Sequence, residues 1–141
     1  MKRIGIALLV LAVLLTACRG DPAPIGADAP ADNVPDILGS YALNAIDGSG
    51  EEYGGTLSIF AGDVPNEFKM QWLVSGDIQE GIGVLDGNQL TFTWESVEGT
   101  DQHLSGHGSY TVTVNGELYG LRYIDGVEDP GQETAYPNPE P

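Results

Sequence analysis

The chain holds one cysteine, two histidines and five basic residues in 141, and each shortage excludes a class of function. A lone cysteine can form no internal disulfide, no thiolate cage and no redox pair. Lys2 and Arg3 stand at the extreme start, so only Arg19, Lys69 and Arg122 face the 21 acidic residues that follow, a side-chain charge of −18 beyond residue 17. Such a chain lacks the clustered Lys and Arg that hold a phosphate backbone, which excludes nucleic acid as a partner. Its longest apolar run, Ile4 to Leu15, falls short of the roughly 20 residues that span a bilayer. No stretch places apolar residues at spacings of three and four, so no amphipathic helix is expected. There is no nucleophile elbow and no glycine loop leading into a helix; the expectation is no catalytic residue, no metal and no cofactor.

What is present begins with an address. Met1-Lys2-Arg3, the apolar run and the small pair Thr16-Ala17 have the order of a secretory signal peptide over residues 1–17. The next residue is Cys18, and Leu15-Thr16-Ala17-Cys18 resembles the lipobox of bacterial lipoproteins. The resemblance implies cleavage before Cys18, lipid on its sulfur, and a membrane partner reached through that anchor. It places the rest in the cell envelope, outside the cytoplasm, on the outer membrane or the outer leaflet of the cell membrane. Two or three acyl chains, at about 0.8 kcal/mol per buried CH₂, make such an anchor nearly permanent.

Residues 18–38 carry Pro22, Pro24, Pro30 and Pro35 and read as a Pro/Ala/Asp-rich tether, which fully extended would reach about 66 Å. Residues 136–141 alternate proline and read as a flexible tail. Residues 39–135 between them read as one β-domain.

That domain consists of short runs of alternating polarity separated by glycine turns, the pattern of antiparallel strands. The alternation turns Tyr41, Leu43 and Ala45 inward, then Tyr53, Leu57 and Ile59, then Phe68, Met70, Trp72 and Val74. Ile82 and Val84 follow, then Leu90, Phe92 and Trp94, then Leu104, Tyr110, Val112 and Val114, and last Leu118 and Ile124. Asp86-Gly87 and Asn115-Gly116 each separate two such runs and predict type I′ hairpin turns. Glycines at 54, 55, 81, 83, 106, 108 and 120 permit sharp bending. The expected fold is all-β, an antiparallel up-and-down meander of seven or eight strands curled into a small barrel, with a two-layer sandwich as the alternative.

Tyr41, Asp47-Gly48, Tyr53-Gly54-Gly55-Thr56-Leu57, Trp72, Gly81-Ile82-Gly83, Gly108-Ser109-Tyr110, Leu118-Tyr119-Gly120 and Gly131-Gln132-Glu133 together resemble a family of small exported bacterial β-domains, some of them described as fibronectin-binding. The resemblance covers most of residues 41–133 and implies a lipid-anchored domain; it supplies no catalytic residues. The architecture is also similar to that of calycins.

Three groups of residues are candidates for chemistry. Asp101, His103, Ser105 and His107 share one strand face, but His103 and His107 would stand about 13 Å apart, too far to share a zinc ion. Asp47-Gly48-Ser49-Gly50-Glu51-Glu52 and Asp125-Gly126-Val127-Glu128-Asp129 are acidic loops; the first has half the pattern of a calcium loop and lacks its distal glutamate. Tyr119, Leu121 and Tyr123 fall on the parity opposite the core and form a candidate contact patch for a protein partner. The expectation is a membrane-anchored, non-enzymatic binding or contact module, the alternatives being a lipocalin-like carrier of a small apolar ligand or a structural envelope lipoprotein.

Overall fold

A computed structural model describes residues 23–98 and 103–138. The signal segment 1–17, Cys18, residues 18–22 of the tether, Asp101 and residues 139–141 lie outside the described residues. Eight strands follow one another: β1 (Gly39–Ile46), β2 (Glu52–Ala61), β3 (Glu67–Val74), β4 (Asp77–Asp86), β5 (Gln89–Glu98), β6 (Ser105–Val112), β7 (Leu118–Ile124) and β8 (Gly131–Pro137). Each pairs antiparallel with its neighbours, and β8 returns to pair with β1, so the meander closes as a barrel and the sandwich is set aside. Closure leaves no strand edge open to another chain.

The alternation places the core where the polarity pattern put most of it. Trp72, Leu57, Leu90, Tyr110, Val112 and Leu118 are fully buried in the lumen. Strand β4 is the exception. Ile82 and Val84, expected inward, are exposed on the outer wall, and Val114 is exposed in the β6–β7 hairpin. The inward positions of β4 are Gln79, Gly81, Gly83 and Leu85, where glycine clears room for rings on the neighbouring strands. A Cβ on Gly81 would lie 3.0 Å from Cζ3 of Trp72, and one on Gly108 of β6 would lie 2.5 Å from Cζ of Phe92. Interior glycines thus seat large aromatics as well as bending the sheet.

The turns also depart from expectation in type, and the first lies one residue later than expected, at Gly87-Asn88. Gly87 takes a positive φ of 58° and Asn88 does not, so that two-residue hairpin has its left-handed residue first, as in type II′. At residues 113–117 only Gly116 is left-handed, and its N–H donates to Thr113 O at 3.0 Å, which is a type I turn closed by a glycine bulge. The two-residue turn with both central residues left-handed is Ser75-Gly76, at 51° and 75°.

The largest correction concerns residues 23–38. They do not stand clear of the domain. Ala29 N donates to Val112 O at 2.9 Å, Val114 N to Ala27 O at 2.8 Å and Asn88 Nδ2 to Ala29 O at 2.8 Å. Ala29 and Ile37 are buried, Val34 packs against the core, and Ile37 O accepts from the hydroxyl of Tyr41 at 2.7 Å. Proline bars this segment from a ladder, but a single strap laid across a barrel end needs only isolated bonds. The folded unit therefore begins well before residue 39. It also ends later than residue 135, since β8 runs to Pro137 and Asn138 N donates to Ser40 O at 2.8 Å.

The strap crosses the end of the barrel where β1 begins, here called the lower end; the last residues of β1, β3, β5 and β7 lie toward the upper end.

Candidate functional site

The upper half of the lumen holds a charged pair. Arg122 of β7 and Glu133 of β8 both point inward, and Arg122 Nη1 lies 3.1 Å from Glu133 Oε1 with almost no exposure of either side chain. Two buried charges persist only where attraction and hydrogen bonds offset their lost hydration. Both conditions are met. The guanidinium lies between two indoles, its Cζ 4.6 Å from the Trp72 ring centre and 4.0 Å from that of Trp94. The carboxylate accepts from the Tyr53 hydroxyl at 2.5 Å on Oε1 and from the Tyr110 hydroxyl on Oε2. Trp72 Nε1 in turn donates to the Tyr110 oxygen at 3.1 Å. Burial first, and then the Glu133 charge, push the phenols of Tyr53 and Tyr110 well above their ordinary value, so both remain donors.

The network continues toward the mouth. Arg122 Nη2 donates to Gln79 Oε1, and Gln79 Nε2 donates to Asp77 Oδ2 at 3.0 Å. Ser96 Oγ donates to the same Asp77 oxygen at 3.0 Å. Two buried polar atoms in this chain of contacts meet no protein partner: Arg122 Nε and Asp77 Oδ1.

Both residues line a cavity of about 820 Å³ at the upper mouth. Val74, Trp94, Leu104, Ile124 and Val127 give it an apolar wall, while Asp47, Glu51, Glu52, Glu128 and Asp129 stand at its polar side. The two acidic loops close on each other there: a Cβ on Gly48 would collide with the backbone oxygen of Asp129, so only glycine allows the approach. Asp47 is occupied within its own turn, accepting from Ser49 N, Ser49 Oγ and Glu51 N at 2.9, 2.6 and 2.9 Å. The Ser49 hydroxyl, followed by the backbone donors, holds its carboxyl below the usual value. Among the described residues no three His, Cys, Asp or Glu side chains group closely enough to hold a metal ion. A second hollow, of about 760 Å³, lies against the outer wall around Phe60, Lys69 and Ile82. It contains neither unpartnered atom.

Of the residues singled out in the sequence, the two acidic loops border this mouth and the others fall elsewhere. His103 is exposed, 3.8 Å from Glu95; Ser105 donates to Asp125 at 2.8 Å; the His107 ring stacks on Tyr123 at 4.8 Å. They do not converge. Tyr119, Leu121 and Tyr123 face outward on β7 and are half-buried. The Tyr119 hydroxyl donates to Asp28 of the strap at 2.7 Å, and His107 covers one face of Tyr123. Cys18 lies outside the described residues. The buried pair was missed because Arg122 and Glu133 read as ordinary solvated charges; the inward parity of Arg122, opposite the row Tyr119, Leu121 and Tyr123, was the signal that could have found it.

No protein-family model matches the chain, and no curated protein sequence matches it. Among solved structures it is similar to a de novo designed fluorescence-activating β-barrel, at 13% identity and a TM-score of 0.54, over 72% of this chain and 93% of that one. At that identity the likeness concerns the small closed barrel alone.

Proposed function

We propose that this protein is a non-catalytic binding barrel, held on the bacterial cell envelope by lipid on Cys18, which takes a small ligand into its upper mouth. The observation that carries the binding is the cavity of about 820 Å³ lined by two residues with buried, unpartnered polar atoms, Arg122 Nε and Asp77 Oδ1. Leaving a buried donor or acceptor unmade costs about 1–3 kcal/mol, and a ligand that satisfies both recovers that cost. Beside the charged pair the lumen is filled, since Phe92 packs against both Trp72 and Tyr110 with ring centres 5.2 and 4.8 Å apart. The dispersed positions of His103, Ser105 and His107 favour binding over catalysis. The anchor is supported by Leu15-Thr16-Ala17-Cys18 after the apolar run.

Trp94 lines the mouth, so its fluorescence is the natural reporter. A small-molecule panel titrated against the full chain should contain compounds that shift tryptophan emission, and Trp94→Phe should remove the shift. A panel that leaves emission unchanged and shows no heat of binding would overturn the reading. For the anchor, Cys18→Ala should abolish acyl labelling and membrane association; unchanged detergent partitioning would remove it from the proposal.

A further inference from the structure

Resting on the reading that the upper mouth binds a small molecule, we propose that its ligand presents an aminoacyl group: a primary ammonium with a carbonyl or carboxylate oxygen on the adjacent carbon. A free α-amino acid and the first residue of a peptide both have this chemistry.

The two unpartnered atoms differ in what they demand. Arg122 is committed on nearly every side. Trp72 and Trp94 lie over its planar group, Nη1 is bonded to Glu133 and Nη2 to Gln79. Nη1 and Nη2 each have a partner whereas Nε has none, and its N–H can only donate, so it calls for an acceptor oxygen. Asp77 is the converse. Its Oδ2 accepts from Gln79 and Ser96, and its free Oδ1 can only accept while ionised, so it calls for a donor. Among the described residues lining the cavity the only cation is Arg122, which is paired with Glu133. The donor that suits Asp77 is therefore a cation.

Spacing narrows the class further. Gln79 bridges the two side chains, its oxygen accepting from Arg122 Nη2 and its nitrogen donating to Asp77 Oδ2, so the guanidinium and the carboxylate that carry the unpartnered atoms are linked through a single amide. An ammonium and an oxygen on adjacent carbons are separated by a similarly short reach, whereas a long diamine or a dicarboxylate is not. Asp47, Glu51, Glu52, Glu128 and Asp129 add charge of one sign around the mouth, a field that concentrates cationic groups and is screened by salt. The apolar wall of Val74, Leu104, Ile124 and Val127 suits a branched aliphatic side chain beside the polar head.

The test titrates the purified full chain with L-leucinamide, L-leucine, L-leucylglycinamide and N-acetyl-L-leucinamide, following tryptophan emission and heat. L-Leucinamide should bind at least tenfold more tightly than the N-acetylated compound, and more weakly in 500 mM than in 50 mM NaCl. Asp77→Asn keeps an oxygen for Ser96 and Gln79 but loses the charge. It should bring L-leucinamide to the affinity of the blocked compound, in a variant shown by circular dichroism to be folded. Tighter binding of L-leucine than of L-leucylglycinamide assigns a free amino acid, and the reverse order a peptide terminus. Equal binding of free and blocked compounds, or indifference to Asp77→Asn, overturns the aminoacyl assignment. If other molecules give a Trp94-dependent response and none of the ammonium compounds does, the assignment falls while binding at the mouth stands. Silence toward every compound overturns both.

Discussion

The lower end of the barrel is closed by hydrocarbon and the upper end is left open around charge, although the same eight strands build both. Below, Ile37 and Val34 of the strap pack on the core, and polar groups there are met within the chain: Ala29 N by Val112 O, Ala29 O by Asn88, Ile37 O by Tyr41, and the buried Glu117 carboxylate by Thr113 and Gly26. Above, Arg122, Glu133, Gln79 and Asp77 bury charge in a lattice that leaves two atoms unsatisfied. The difference teaches that one end is finished by the chain itself and the other is arranged for something beyond it. On the proposed reading, stability and recognition fall at opposite ends of one short lumen.

The difference can be broken most sharply at the charged pair. Arg122→Met should destabilise the protein by about 3–5 kcal/mol, because Glu133 is then buried without its partner. The double variant Arg122→Met, Glu133→Gln should recover much of that loss in urea denaturation, since neither charge is then stranded. A double variant no more stable than Arg122→Met alone would show that the loss comes from packing and not from charge.

At the other end, Ile37→Ala should cost about 2–4 kcal/mol through the cavity it leaves. Any ligand of the mouth should bind this variant as it binds the native chain. Weakened binding after correction for unfolding would erase the division between the ends.

Alkali tests both ends together. Tyr41 below is pushed up to about 12, first by burial and then by Asp36, while Tyr53 and Tyr110 above are raised further. A phenol whose folded value exceeds its unfolded value near 10 contributes its full stability below pH 10, because both states then hold the proton. As pH rises, the unfolded chain releases that proton first, and stability falls from about pH 10 upward. Thermal melts followed by circular dichroism between pH 8 and 11 should show this decline, reduced in Tyr41→Phe. A melting temperature that is level across the range would contradict it.

The smallest effect lies outside the lumen. Lys69 and Asp63 form an exposed pair at 3.0 Å, and Lys69→Ala should change stability by no more than about 0.5 kcal/mol.

How far these ends could be read in advance depends on the physics of each. Alternating polarity and glycine turns revealed the meander, because a half-buried strand must alternate. The same rule misplaced β4: where glycine occupies the inner face, the apolar residues of the strand are the outer ones, and Ile82 and Val84 attracted the wrong assignment. The strap was hidden by its prolines, which exclude a ladder but do not exclude burial of the apolar residues between them. The mouth was the least legible part. Arg122, Gln79 and Glu133 come from three strands, and only barrel closure, which pairs β8 with β1, brings all three into one lumen. Asp77 in particular looks like any acid beside a turn until Gln79 and Ser96 are seen to occupy one of its oxygens.

The strap also changes the length of the leash. With the hydroxyl of Tyr136 donating to Ala23 O at 2.9 Å, the chain is fastened to the barrel wall from residue 23 onward. Tyr136 lies beside Ala42 near the lower end, so the point of attachment is on that side. For a chain anchored at Cys18, the five steps from that residue to Ala23 reach at most about 18 Å, less than a third of the extended length the whole proline-rich stretch would allow. Were Cys18 to carry the proposed lipid, the barrel would ride close above the bilayer with its strapped end down and its acidic opening facing away.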